Sequence, residues 1–256
     1  MRLIRYQSGA EPPRLGWALE EYVGALEGSP FSGFRRLEAD QELSAVRLLA
    51  PVLPAKIIGV GRNYLSHARE QNLEAPEVPL LFLKPPSAVI GPDEPIRLPP
   101  QSQQVVHEAE LAVVIGKAGR WIKPEDAMDH VLGYTIGNDV TARDLQRRDG
   151  QWTRSKSFDT FCPLGPWIET EFDPADALIA CYVNGELRQM ASTRDMLFNV
   201  RQLIAYISSI MTLEPGDVIL TGTPGGVGLL QDGDVVRITI EGLGTLQNPV
   251  VREKSW

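Results

Sequence analysis

The sequence predicts an α+β chain dominated by strands. Three features carry that prediction. Apolar residues come in short runs rich in Val, Ile and Leu, bounded by Gly, Pro, Asn or Asp. Only one stretch, Val200 to Met211, shows a sustained helical stripe, and the first fifty residues are broken by Gly, Pro and Ser too often for helices.

In chain order, residues 1–52 read as a small N-terminal domain and 53–256 as the main domain. The runs around Leu15 to Leu19 and at Tyr22-Val23 suit strands in hairpins. Glu38 to Leu43 is expected to open a short helix that stops before Pro51 and Pro54, where a linker is natural. Lys56 to Gly61 reads as a buried strand. A helix is expected from Arg62 to Gln71, with His67 and Glu70 three apart on one face. Leu80 to Leu83 is strand-like within a Pro-rich passage. Val106 to Gly116 reads as one strand, and Gly133 to Val140 as another ending in Asp139. Between them, Pro124-Glu125-Asp126 is a helix start, with Gly133 as its stop. Thr141 to Arg148 suits a helix presenting Arg143 and Gln146 together, and Gly150 to Phe161 a loop. In the clearest helix Val200, Leu203, Ile204, Ile207, Ile210 and Met211 form the stripe, Asn199 caps and Pro215-Gly216 follows the end. Strands return at Asp217 to Leu220, Asp234 to Ile240 and around Leu246.

Of the 256 residues, 43% are hydrophobic and 23% charged, the composition of a folded globular chain. A net charge of −8 with no basic cluster argues against nucleic acid or an anionic membrane as partner. No apolar run reaches the ~20 residues of a membrane span, and Met1 to Arg5 lacks a signal-peptide core, so the expected location is the cytoplasm. The two cysteines, Cys162 and Cys181, are too few for a disulfide framework and read as buried thiols.

On a strand, Glu108 and Glu110 share a face. Two carboxylates beside an apolar, buried continuation repel unless a proton or cation lies between them, and Asp139 offers a third oxygen ligand. That set suits a hard divalent ion, Mg²⁺, Mn²⁺ or Ca²⁺. Solvent-facing acids on an edge strand have the same pattern. His67 with Glu70 resembles a general base held by a carboxylate, and a surface ion pair has the same spacing. Lys156, flanked by aromatics, is a candidate to face an anionic intermediate; a solvated loop lysine is the ordinary alternative. His107 and His130 read as structural. Thr221 to Gly228 lacks the Gly-Lys-Ser/Thr ending of a phosphate loop and precedes a β-rich stretch, so it reads as a tight turn presenting amides and the Thr223 hydroxyl.

The order of these pieces is more specific than any one of them. Gly61-Arg62-Asn63-Tyr64 with His67 and Glu70 comes first, then Phe82-Leu83-Lys84-Pro85 and His107-Glu108-Ala109-Glu110-Leu111. Asp139 to Gln146, Lys156-Ser157-Phe158-Asp159, Val183-Asn184-Gly185-Glu186 and Leu220-Thr221-Gly222-Thr223-Pro224 follow. From about residue 55 to 250 the chain resembles the fumarylacetoacetate hydrolase family, in its bacterial branch of 2-hydroxyhepta-2,4-diene-1,7-dioate isomerases, acylpyruvases and oxaloacetate decarboxylases. The resemblance implies a mixed β-sandwich roll behind a small β-rich N-terminal domain, and a homodimer. It implies one Mg²⁺ or Mn²⁺ on Glu108, Glu110 and Asp139, His67 and Glu70 as base dyad on a segment that orders over substrate, and Lys156 and Thr160 near the metal. Arg143, Gln146 and Thr223 would lie near the substrate carboxylate and oxo group. Some family hydrolases add an Asp ligand from the region matching Gly59 to His67, where this chain has no carboxylate.

A 2-oxo acid grips such a cation through a carboxylate oxygen and its neighbouring carbonyl oxygen, which stabilises an enolate. The resemblance to the bacterial branch, with its motif set and small N-terminal domain, implies isomerisation or decarboxylation of 2-hydroxy-2,4-dienedioate-type catabolites as the activity. Acylpyruvate C–C hydrolysis and oxaloacetate decarboxylation are the alternatives. A non-catalytic β-rich protein with a structural cation is the alternative of another class.

Overall fold

The computed structural model describes residues 1–70 and 74–253. Its architecture is α+β and predominantly strand. A large mixed sheet begins with a meander, in which Arg2–Gln7, Arg14–Leu19, Tyr22–Ser29 and Gly33–Glu42 pair antiparallel in succession. Arg2–Gln7 also pairs with Cys162–Glu169, so the first fifty residues extend the sheet of the main body. The sheet continues through Val131–Asn138, Ala109–Ile115, Val218–Leu220, Ile57–Gly61 and Leu80–Lys84, the last pairing with Ile57–Gly61. A second, five-stranded sheet runs Glu186–Ser192, Leu178–Val183, Val235–Ile240, Gly244–Arg252, Ile96–Leu98.

The main core lies between the two sheets. Leu111, Val113, Ile115 and Ile136 of the large sheet meet Ile179, Cys181, Val236, Ile238 and Ile240 of the smaller one. The helix Val200–Ile210 adds Val200, Leu203, Ile204 and Ile207, and Asn199 caps it by accepting from Gln202 N. On the opposite face Ala112, Val114, Leu164, Val218, Leu220 and Ile57 form another cluster. Ala109–Ile115 is thus buried on both sides, which is why it reads as a continuous apolar run.

Several expected boundaries move. The acidic Glu38 to Glu42 is strand, exposed on the outermost strand of the meander, and only Leu43–Ala45 forms a 3₁₀ turn. Charges on an outer strand discourage pairing with another chain. Pro124–His130 is a 3₁₀ helix and Gly133 lies inside the next strand, Val131–Asn138. A Cβ on Gly133 would stand 2.5 Å from Glu169 O, so strand proximity selects this glycine. The expected single strand from Val106 is two, Val105–Val106 and Ala109–Ile115, broken at His107-Glu108. The helix expected from Arg62 begins at Leu65 and runs to Glu70; Arg62 adopts φ +57° at the turn before it. Thr141–Ala142 is a short strand before the helix Arg143–Asp149, and the following loop contains the helical turn Thr153–Lys156. The expectation that the segment to Glu74 orders over substrate falls partly on residues 71–73, outside the described residues.

Candidate functional site

The break before Ala109 builds the acidic cluster. Strand alternation sends Glu110 to the side of Ala112 and Val114. Gly137 is its cross-strand partner, where a Cβ would stand 2.5 Å from Leu220 Cδ2. One step beyond the regular pairing, Asp139 N donates to Glu108 O at 2.9 Å, and Glu108 N donates to Asn138 Oδ1 at 3.0 Å. These two bonds seat Asp139 beside Glu108. One carboxylate oxygen from each of Glu108, Glu110 and Asp139 lies within 4.8 Å of the others, and all three residues are buried.

Three buried cations face these acids. Lys84 Nζ donates to Asp139 Oδ1 at 2.6 Å and to Val140 O at 3.2 Å. Lys156 Nζ bridges Glu108 Oε2, at 2.8 Å, and Asp139 Oδ2. Arg143 pairs with Glu108 Oε1 and donates to Gln146 Oε1. Burial opposes the charge on Glu108, yet Lys156 and Arg143 hold its carboxyl well below the usual range. Glu110 accepts from the Gly222 amide at 2.7 Å and makes no ion pair among those described; burial and the charges of Asp139 and Glu108 push its carboxyl well above the usual range. Burial works against the Lys156 ammonium, but Asp139 and Glu108 raise its pKa. The Lys156 ammonium also lies 4.6 Å from the centre of the Phe82 ring.

His67 and Glu70 meet on the short helix, with Nδ1 to Oε2 at 3.8 Å. Burial lowers the His67 pKa below 6.5, against Glu108 and Glu70, so the ring is neutral at neutral pH. Glu70 is anchored by Gly226 N at 2.6 Å, and Ser66 Oγ accepts from Gly225 N at 3.1 Å. The turn amides expected to face a ligand therefore hold the helix that carries the dyad. His67, Glu70, Gln104, Arg143 and Arg147 line a cavity of about 320 Å³, whose apolar wall is Val106, Val227 and Leu229.

The hydroxyls of two expected groups are bonded to other parts of the chain. The Thr223 hydroxyl donates to Ala109 O at 3.0 Å and accepts from Gln189 Nε2 at 2.8 Å. Thr160 Oγ1 accepts from Arg97 N at 2.9 Å. His107 and His130 have structural contacts, Nδ1 of the first with Gln189 Oε1 and of the second with Lys117 O, both at 3.0 Å. Cys162 and Cys181 are free buried thiols whose pKa values burial pushes up to about 12.

Sequence reasoning assigned no role to Lys84, Asn63, Asn138 or Gln189. Asn63 clamps the loop before the dyad, accepting from Phe198 N at 2.8 Å and donating to Phe198 O and Thr221 O at 2.9 and 2.7 Å. Gln189 Oε1 lies 3.0 Å from His107 Nδ1 and accepts from Ala109 N at 3.1 Å, while its Nε2 reaches Thr223 Oγ1 and Pro224 O. It fastens the acidic strand to the Thr223 turn. The one signal available was position inside the motifs Gly61 to Tyr64 and Phe82 to Pro85.

The donor set fits a hard divalent cation. All three candidate ligands are carboxylates, buried, and close enough to share one ion. The Lys156 ammonium, bridging Glu108 and Asp139, stands in for positive charge at that position.

Residues 56–251 match the family model described as fumarylacetoacetate (FAA) hydrolase C-terminal, and residues 1–51 the model described as Rv2993c-like, N-terminal. The fold is similar to the crystal structure of 2-hydroxyhepta-2,4-diene-1,7-dioate isomerase from Mycobacterium marinum, 46% identical at a TM-score of 0.92 over 100% of both chains. It is also similar to 5-carboxymethyl-2-hydroxymuconate delta-isomerase from Mycobacterium smegmatis, 48% identical at a TM-score of 0.91, covering 99% of this chain and 100% of that one. The mitochondrial oxaloacetate tautomerase fahd2 of Xenopus laevis is 45% identical over 98% of this chain and 90% of its own length.

Proposed function

The chain belongs to the fumarylacetoacetate hydrolase family, and from that premise we propose that it is a Mg²⁺- or Mn²⁺-dependent isomerase of 2-oxo and 2-enol carboxylic acids. Diacids of the 2-hydroxyhepta-2,4-diene-1,7-dioate type are its leading substrates. The observation that carries this is the convergence of Glu108, Glu110 and Asp139 beside a cavity lined by His67, Glu70 and Arg143.

Glu108, Glu110 and Asp139 would hold the ion, which when bound supplies Lewis acidity for the negative charge that develops on a 2-oxo acid as it loses a proton. His67, kept neutral by burial, takes the 2-hydroxyl proton of an enol substrate, or a proton from the carbon next to the oxo group of a 2-oxo substrate, for return to a carbon further along the chain, and Glu70 steadies the resulting imidazolium through Nδ1. The Lys156 ammonium stabilises the oxyanion or returns the proton. Arg143 and Gln146, already linked to each other, orient the substrate carboxylate. An isomerase keeps water from this proton; admission of water would turn the same step toward C–C hydrolysis, and loss of CO₂ toward decarboxylation.

Keto–enol interconversion of oxaloacetate is a second reading, favoured by the tautomerase relative. The family resemblance supports a homodimer with a small-molecule 2-oxo acid as its ligand, and the lack of a signal-peptide core in Met1 to Arg5 supports a cytoplasmic location. No helix of the described residues is long and apolar enough to cross a membrane.

The test assays Mg²⁺-loaded protein on the dienedioate, on acylpyruvates and on oxaloacetate, following proton exchange, C–C cleavage and CO₂ release separately. Isomerisation of the dienedioate is the expected result. Turnover of acylpyruvate alone refutes the assigned reaction.

A further inference from the structure

We infer that Arg147 binds the terminal carboxylate of a diacid substrate, so that the site selects 2-oxo acids carrying a second carboxylate over those with a neutral tail. The inference deepens the proposed function and rests on that reading for the position of the oxo-acid end.

Arg147 follows Arg143 by four residues on the helix Arg143–Asp149, so the two side chains leave the same helical face, and both line the cavity. Their charges are in different states. Arg143 is held by Glu108 and Gln146, and its remaining donors face the oxo-acid end in the proposed reaction. Arg147 has one polar contact, Nη1 to the neutral Gln104 Oε1 at 3.5 Å, and among the described residues no carboxylate lies within ion-pair distance of it. Its neighbours differ, because Arg148 and Arg154 both pair with Asp149. The cavity therefore holds a guanidinium whose fork is open to an incoming anion.

The rest of the cavity fits what such an anion would be attached to. Val106, Val227 and Leu229 present an apolar wall beside these guanidinium groups. Val106 and Leu229 are bridged to each other, and His107 N donates to Gly228 O at 3.2 Å, so this wall is fixed to the strand that leads into Glu108. Glu70 is the one acid among the described lining residues, and its Oε1 is committed to Gly226 N. A volume of about 320 Å³ suits a small ligand. The chemistry is that of a short carbon chain with an oxo-acid end at the acid cluster and a second carboxylate at Arg147, where a planar guanidinium can make two parallel bonds.

The experiment compares full-length wild type with Arg147→Met and Arg147→Lys. Binding of a 2-oxo diacid, and of its analogue with the terminal carboxylate methylated, is measured by calorimetry on the Mn²⁺-loaded proteins, and turnover of both is followed in parallel. Binding and KM for the diacid should weaken about 10- to 100-fold in R147M, the range for a charged hydrogen-bonded pair, with the ester within twofold of wild type and partial recovery in R147K. Equal losses for diacid and ester, or no loss for the diacid, overturn the assignment. A wild type that turns over neither compound refutes the proposed function, while the calorimetric difference between diacid and ester still decides the role of Arg147.

Discussion

Replacing Glu110 by Gln tests the centre of the site. Glu110 shares a sphere of 4.8 Å with Glu108 and Asp139, and two unit charges at that separation repel by about 3.5 kcal/mol at an effective dielectric of about 20. Lys156 offsets part of this. Glu108 is held ionised by Lys156 and Arg143, so the proton of the metal-free site goes to Glu110, where burial and both neighbouring charges raise the pKa. A raised pKa means that the folded, metal-free protein holds a proton that the unfolded chain releases above pH 4.5. The stability this contributes is fully present below pH 4.5 and is lost as pH rises toward the folded-state value, by about 1.4 kcal/mol per pH unit for one proton. E110Q has no such proton. The difference in stability between the two proteins in EDTA should therefore shift at about that slope over the window, read by urea denaturation at a series of pH values. Its amide oxygen can still accept from Gly222 N, so the fold is kept, but Mn²⁺ affinity should fall more than about 100-fold with one anionic ligand gone. Parallel pH profiles in EDTA, or Mn²⁺ affinity within threefold of wild type, would refute the idea that these acids share one cation.

His67→Ala should abolish proton exchange while Mn²⁺ affinity, followed by electron paramagnetic resonance, stays within a few fold; retained activity removes His67 from the mechanism. Because burial lowers its pKa, the neutral base persists below pH 6.5, and the acid limb of kcat/KM should lie below that value, with activity lost as pH falls through it. Lys84→Met leaves Asp139 with Lys156 as its remaining ion-pair partner and should cost about 3 kcal/mol in urea unfolding, the lower end for a broken buried pair. Gln189→Leu strands Ala109 N and Pro224 O and frees the Thr223 turn; a loss of about 3 kcal/mol with about tenfold weaker Mn²⁺ binding is expected, and unchanged metal affinity would make Gln189 purely structural.

What the sequence revealed depended on how local each cause is. The helix Val200–Ile210 was legible because its apolar stripe and its Asn199 cap are properties of a dozen consecutive residues. Glu108 and Glu110 were legible as a pair from alternation alone, although the chain breaks between Val106 and Ala109 where one strand was expected. The Glu38 to Glu42 stretch misled because acid-rich composition opens helices and also protects an outer strand; the meander pairing decides, and composition does not record it. Gly133 misled likewise, since a glycine that stops a helix and one that admits a neighbouring strand are the same letter. Gln189 had no local signature at all, and Lys84 had only its place in Phe82 to Pro85. Their partners lie 55 positions away for Asp139 and 82 and 34 for His107 and Thr223, so only the folded sheet order brings them together.

That sheet order explains how so many charges can be buried in one place. Three carboxylates in the interior would each carry a desolvation cost that no single partner offsets, and here each acid is met from a different direction. Lys84 comes from the strand Leu80–Lys84 at the end of the large sheet and is fixed by Val140 O as well as Asp139. Arg143 comes from the helix that follows Asp139, and Lys156 from the helical turn after it. Glu110, which makes no ion pair among those described, is the one left to share a proton or a metal. The two oxygens of Asp139 are divided in the same way: Oδ1 belongs to a lysine anchored in the sheet, and Oδ2 to a lysine carried on a four-residue turn. A cation arriving at the cluster competes with the Lys156 ammonium, which bridges Glu108 and Asp139, and Lys84 keeps Asp139 in place while it does so.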